Sequence, residues 1–305
     1  MAIPTSRTAE AGQITIDYAK CNGCGLCAEV CGDFQYKIIR GKVVPTGTGT
    51  FECIACGHCM AVCPTEAIKI NGRTLSPKDI FPLLKEPLKS DYAGFISLLQ
   101  NRRSIRKFKD QEIQSELIDK IVEAAQTAPM GIPPSDVNVL VISGKDKGHK
   151  FVSDFCDLLA GQQWMVSNWF LALMRPFWGK ANDKLFRDFI RPLLTTYVGS
   201  MKKGENVVTY DAPATLYFYG SPYCDFSDPV IAATYAMLAA ESLGLGTCMI
   251  GGIHPFLQHG NAARKFREKH GIRYKSQGGL FLILGYPKVK FKKGIRRTFA
   301  NIDML

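Results

Sequence analysis

The sequence predicts an α+β chain in two parts, a small cysteine-rich module followed by a larger domain of mixed helices and strands. Three observations carry that prediction. Eight of the eleven cysteines lie between Cys21 and Cys63, in two copies of one motif. Downstream, segments of helical periodicity alternate with short β-branched and aromatic runs. Finally, 305 residues with 46% hydrophobic content suffice for one large core and a small one.

The module comes first, at residues 1–75. "CNGCGLCAEVCG" (Cys21–Gly32) and "CIACGHCMAVCP" (Cys53–Pro64) are its two repeats, each followed by a short apolar turn, "FQYKII" and "TEAIKI". "SPKD" at Ser76–Asp79 reads as a helix start, with Ser at the N-cap and Pro at the first helical position. Residues 76–90 are therefore expected to form a linker helix, and 91–305 the second domain. In that domain "EIQSELIDKIVEAAQTA" places Ile113, Leu117, Ile121 and Ala124 on one stripe and stops before Pro129. "VNVLVIS", "ATLYFYG" and "GGLFLILGYP" read as strands. "DPVIAATYAMLAAESLGLG" reads as a helix capped by Asp228 and ended by Gly244.

Composition narrows the function classes. The N-terminal residues contain no apolar run, which argues against a secretory signal. The most hydrophobic window, "WMVSNWFLALMRPFWG", is broken by Arg175 and Pro176 and is too short to span a bilayer. A soluble, cytoplasmic protein with no membrane partner is expected. Residues 262–305 hold twelve Lys/Arg against two Asp/Glu, so nearly all of the +11 net charge resides there. Such a tail suits phosphates or an acidic protein. No helix-turn-helix or aromatic-interleaved basic strand supports a nucleic-acid partner.

Eight thiols without a secretory context point to metal rather than disulfides. Cys21, Cys24, Cys27 and Cys31 follow C-x2-C-x2-C-x3-C, and Cys53, Cys56, Cys59 and Cys63 repeat it with Pro64 behind. Zinc modules usually pair two close knuckles instead of placing three thiols in seven residues. Three thiolates at i, i+3 and i+6 suit three corners of a 4Fe–4S cubane, with the fourth ligand crossing from the other repeat. One cluster would use Cys21, Cys24, Cys27 and Cys63; the second Cys53, Cys56, Cys59 and Cys31. About sixty residues here resemble bacterial two-cluster ferredoxins, with Gly32 standing where that family usually has Pro.

The second chemical signal is "NRRSIRKFKDQEI", Asn101–Ile113. Three arginines and a serine within five residues suit an anionic ligand. The segment resembles the opening motif of the nitroreductase family of flavoproteins, and "TAPMGIPPSDV", "LGLGTCMIGG" and "GIRR" follow in the family's order. The resemblance spans roughly residues 91–300. It implies an α/β sandwich with a central sheet wrapped by helices, and FMN bound at a homodimer interface. Carried over by position, Arg102, Ser104 and Arg296 or Arg297 would hold the phosphate, Arg103 would also bind the cofactor, and Arg106 would lie at the N1/O2 edge. Pro129, Met130 and Gly131 would lie along the ring, and backbone groups of Ile250, Gly251 and Gly252 near N5. Met130 replaces the usual Ser, and Pro133 and Pro134 make the segment stiffer and poorer in donors.

Together these parts imply an oxidoreductase that moves electrons from two 4Fe–4S clusters to FMN. The expected acceptor is an electron-poor small molecule: a nitro compound, a quinone or an activated C=C bond. No side chain stands out as an obligatory general acid. NAD(P)H and reduced ferredoxin both stand as donors. A second reading makes the chain an electron-transfer module, its basic tail docking ferredoxin or flavodoxin. Trp164, Trp169 and Trp178 with Phe170 and Phe177 read as core packing first and as an aromatic lid second. Cys156, Cys224 and Cys248 read as buried and inert.

Overall fold

A computed structural model describes residues 2–32, 35–47, 49, 51–83 and 91–304. The chain divides into two units. One is built from the described residues of 1–89 together with 129–137 and 220–228; the other comprises 91–128, 138–219 and 229–304.

In the first unit the two cysteine repeats take the same backbone path. Each enters a short helix, α1 (Leu26–Glu29) and α2 (His58–Val62), through a left-handed glycine, Gly25 at φ 81° and Gly57 at φ 80°. Only glycine takes that conformation without cost. At Gly23 the chain passes so close to the Gly41 carbonyl that a Cβ would lie 2.1 Å from its oxygen. The segments read as apolar turns are strands. β2 (Tyr36–Ile39) pairs with β3 (Lys42–Pro45) in a hairpin whose turn residues, Arg40 and Gly41, both have positive φ. β1 (Gln13–Ile16) pairs antiparallel with β4 (Ile68–Asn71). This pairing ties the residues before the first repeat to those after the second. A small core of Tyr36, Val43, Ala55, Met60, Ile68 and Ile70 lies among the cysteines.

The helix start at Ser76 is real but short. The Ser76 N–H and Oγ both donate to Asp79 Oδ2, at 2.7 and 2.9 Å. Only a 3-10 turn follows, Pro77–Asp79, and residues 80–83 have no regular structure. The remainder of the expected linker helix lies outside the described residues.

The second unit is organised by a four-stranded sheet in the order β5-β6-β8-β7, where β5 is Val137–Ser143, β6 Ala214–Gly220, β7 Gly246–Ile250 and β8 Gly279–Gly285. β8 pairs antiparallel with both neighbours. β6 is buried at every position, as its unbroken apolar run requires of a strand covered on both faces. Helices α3 (Tyr92–Asn101), α4 (Ser115–Gln126), α5 (Lys145–Gln162), α6 (Asn168–Leu185), α7 (Arg191–Lys202), α8 (Asp228–Ser242) and α9 (Gly260–Lys269) supply the rest.

The core joins Phe151, Phe155 and Leu159 of α5 to Tyr217, Phe281, Ile283 and Phe266. Phe281 stacks on Tyr217 at 3.9 Å. Of the expected stripe Ile113 and Ile121 are buried, whereas Leu117 and Ala124 are half-buried and their neighbours Ile118 and Ala125 are buried instead. α8 ends as its glycine requires, with Gly244 at φ 78° and its N–H donating to Glu241 O. Among the described residues no helix is long and apolar enough to cross a membrane.

Candidate functional site: two thiol cavities and an arginine-rich edge

All eleven cysteines are free thiols. The eight of the repeats show one exposure pattern twice over. Cys21 and Cys53 are half-buried, Cys24 and Cys56 exposed, Cys27 and Cys59 buried, and Cys31 and Cys63 half-buried. Among the described residues no three His, Cys, Asp or Glu side chains converge on a position for a single metal ion. The thiols instead surround two cavities. One is lined by Cys21, Cys24, Cys27 and Cys63 with Ile16, Val43 and Ile68. The other is lined by Cys31, Cys53, Cys56 and Cys59 with Tyr36, His58 and Ile70. In each, three thiols come from one repeat and the fourth from the other. The chemistry of such a set, four soft ligands on an apolar wall, fits an iron–sulfur cubane.

The surroundings of the two sets differ. In the first, burial pushes the Cys63 thiol up. The main-chain N–H groups of Thr65, Ala67 and Ile68 and the Thr65 hydroxyl outweigh it and hold the thiol below its ordinary value. The Ala67 N–H donates to Cys63 Sγ at 3.3 Å. In the second, the Tyr36 hydroxyl donates to Cys59 Sγ at 3.3 Å. Burial dominates at Cys59 and pushes its thiol up to about 11. It raises Cys53 too. Buried thiols of this kind stay protonated near neutrality until a metal displaces the proton.

In the second unit, the arginine-rich segment leaves α3 and runs along the free edge of β7. Ser104 bridges Thr247 in parallel, and the Ile105 N–H donates to Thr247 O at 2.8 Å. Gly246 admits this approach: a Cβ there would lie 2.6 Å from Ile105. Ile105 is buried and anchors the segment, leaving Ser104 and Arg106 exposed. Arg106 lies over the Tyr210 ring, 5.9 Å from its centroid. Arg103 has a double role. Its Nη1 caps α3 on the Gln100 and Arg102 carbonyls at 2.7 Å, while its buried Nε has no partner among the described residues. An orphaned, buried guanidinium donor fits an oxyanion. Burial pushes the Glu241 carboxyl up despite the opposing pull of Arg102 and Arg103.

The basic tail passes this edge: a Cβ at Gly294 would stand 3.5 Å from Arg103 Nη2. Arg296 and Arg297, two and three residues on, are exposed. At the end of β7, Ile250 is buried, Gly251 is exposed with open space around its Cα, and Gly252 faces Tyr197 Oη. Pro129, Met130 and Gly131 belong to the first unit. There the Gly131 N–H donates to the Asp228 carboxylate at 3.2–3.3 Å, so Asp228, read as a helix cap, holds this segment as well.

The tryptophans depart from the core reading. Trp164, Trp169 and Phe177 are 52%, 62% and 79% exposed. Trp164, Trp169 and Trp178 instead set their edges around Phe170, at 5.0–6.2 Å, on a helix turned by Gly179 at φ 78°. Cys156 and Cys248 are buried as expected, whereas Cys224 is half-buried, its thiol pushed up to about 12 by burial and by Asp228. The residue that sequence reasoning missed is Arg73, buried at 5% in the β4–Leu75 turn. Its only sequence signal is a cation between the turn residues Gly72 and Thr74.

Residues 13–64 match the family model for a 4Fe-4S dicluster domain, and residues 99–286 match that of the nitroreductase family. A ferredoxin of Methanothermococcus thermolithotrophicus is 39% identical over 59 residues, 19% of this chain and 95% of that one. The FMN reductase [NAD(P)H] of Bacillus subtilis (strain 168) is 29% identical over 164 residues, 52% of this chain and 54% of that protein. The chain spans about half the length of the curated reductases it matches. A nitroreductase of Bacteroides fragilis NCTC 9343, solved with bound FMN, shares the fold at a TM-score of 0.50 and 18% identity, covering 69% of this chain and 97% of that one. The eight cysteines thus fall within or beside a 4Fe–4S dicluster domain, and the chain as a whole belongs to the nitroreductase family.

Proposed function

We propose that this chain is an iron–sulfur flavoprotein oxidoreductase, passing electrons from two 4Fe–4S clusters through FMN to an electron-poor small molecule. The observation that carries the reading is the sorting of eight thiols into two cavities of four, in a chain whose remainder is a nitroreductase domain. When bound, the clusters supply one-electron steps and FMN converts them to two-electron transfer onto a nitro group, quinone or activated C=C bond.

The protein's part is binding and electrostatics. Cys21, Cys24, Cys27 and Cys63 hold one cluster, and Cys53, Cys56, Cys59 and Cys31 the other. Arg102, Arg103 and Ser104, with Arg296 or Arg297, hold the FMN phosphate; the unpartnered Arg103 Nε supports this assignment. Arg106 supplies positive charge at the ring edge, and Ile250–Gly252 line a face of the ring. Exposed Tyr92, Phe291 and Phe299 support a homodimer that covers them.

The test is an anaerobic visible spectrum during titration, first with NAD(P)H and then with chemically reduced ferredoxin. Bleaching by either donor at both the flavin and cluster bands is expected. A preparation with clusters and no flavin bands after FMN is supplied would overturn the reading. A second reading, exchange of electrons with a partner protein, rests on one observation: residues 288–304, with four Lys and two Arg, are exposed throughout. Turnover that falls steeply with salt would favour it.

A further inference from the structure

Arg73 sits in a two-residue hairpin turn closed by Gly72 and Leu75, whose N–H and carbonyl groups exchange hydrogen bonds at 3.0 Å. Both central residues are left-handed, Arg73 at φ 52° and Thr74 at φ 65°. Such turns favour Asn-Gly, and a branched or long side chain there is strained by about 1 kcal/mol or more. The Arg73 side chain is nevertheless 95% covered.

Every described hydrogen bond of the guanidinium ends on a neutral main-chain carbonyl, and the carboxylate whose charge acts on it is that of Asp136. Nη1 donates to Ile3 O at 2.9 Å and Glu10 O at 2.7 Å. Nη2 donates to Pro133 O at 2.8 Å, and Nε is shared between Pro133 O and Ile54 O at 3.2 and 3.1 Å. Ile54 follows Cys53, so the guanidinium is held against the main chain of that thiol's loop. Gly12 closes the same corner, its N–H donating to Cys53 O at 2.7 Å. A buried, permanently charged group is therefore fastened to the loop of one thiol set, and none of the described residues lining the other cavity is a cation.

We infer that Arg73 is a positioning and potential-setting residue for the cluster held by Cys53, Cys56, Cys59 and Cys31. The inference rests on the proposed cluster assignment. Reduction adds one negative charge to a cluster, and a fixed cation behind Cys53 favours the reduced form in a poorly solvated site. The same guanidinium fastens the Cys53 loop to the Pro133 carbonyl. The cation therefore makes the second cluster the higher-potential one.

The test compares full-length wild type, Arg73→Gln and Arg73→Lys by potentiometric titration with EPR detection. Cys56→Ser identifies the signal of the second cavity. Arg73→Gln should lower that midpoint by at least a tenfold change in the one-electron equilibrium, about 59 mV, and leave the other in place. Arg73→Lys should restore most of it. An iron-complete Arg73→Gln protein with both midpoints unmoved would overturn the inference. If Arg73→Gln loses iron, Arg73→Lys decides: wild-type midpoints support the charge, and a shifted or iron-depleted Lys variant overturns it. Wild type lacking cluster signals would instead sink the proposed function.

Discussion

The two units are held together by different physics. The flavoprotein-like unit has a continuous core in which Leu216, Phe218, Phe281 and Leu282 are fully buried. The cluster unit has few large side chains inside, and its core includes two of the thiols themselves, Cys27 and Cys59. A module of about sixty residues with so little apolar burial normally needs staples. Ligation supplies them, so metal and fold should be inseparable in one unit and independent in the other. Each consequence below would break that contrast or sharpen it.

The largest effect is expected from the crossing ligands. Cys63→Ala should remove the cluster of the first-repeat thiols, and Cys31→Ala that of the second, each costing about half of the iron and labile sulfide. Loss of the same-repeat signal in either variant would show that the ligands do not cross. Protease susceptibility should rise around the cluster unit only.

Next comes the apolar core. Phe281→Ala removes a ring stacked on Tyr217, and should destabilise its unit by about 3–5 kcal/mol. Thermal unfolding followed by far-UV circular dichroism should show this loss, with the cluster absorbance per chain unchanged below the transition. A cluster spectrum that moved with the core variant would mean that the units are not independently stabilised.

A smaller, pH-linked effect belongs to the same unit. Burial holds both His254 and His270 below the ordinary histidine value. The unfolded chain therefore binds more protons, and stability is full above the unfolded value of about 6.5. It is lost as pH falls through that value toward the folded ones. The midpoint temperature of this unit should decline from about pH 7.5 to 5.5, and His254→Gln should flatten the slope. His254 sits in a buried network with Tyr217 Oη at 2.8 Å and Gln258, so the flattened profile would be read against a lower overall midpoint.

The smallest effect distinguishes the two cavities. Tyr36→Phe deletes one neutral donor to Cys59, and should lower the second cluster's midpoint by less than about 59 mV, a tenfold change. The first cluster should not respond.

Much of this was legible in the sequence, because the signals were local. The thiol spacing predicted which cysteines would share a cavity, and Gly244 marked the end of α8. Runs such as ATLYFYG could only be buried strands. What escaped depends on distant partners. The order β5-β6-β8-β7 places the last strand between two earlier ones, and no periodicity encodes that. FQYKII looked like a turn because β2 and its partner β3 each span only four residues. Part of the α4 stripe was misplaced because Leu117 and Ile118 are equally apolar, and only the packing chooses between them. Arg73 looked like any surface cation until the turn directed it inward. The Trp-rich segment misled for the opposite reason: its apolar side chains pack on one another while facing outward.

The most direct test of electron flow is anaerobic stopped-flow mixing with chemically reduced ferredoxin, watching cluster and flavin bands together. Wild type should bleach at the cluster band before the flavin band, and a Cys24→Ser/Cys56→Ser double variant lacking both clusters should lose flavin reduction by this donor. Flavin reduction at the wild-type rate in that variant would contradict the account, because the clusters would then lie off the path.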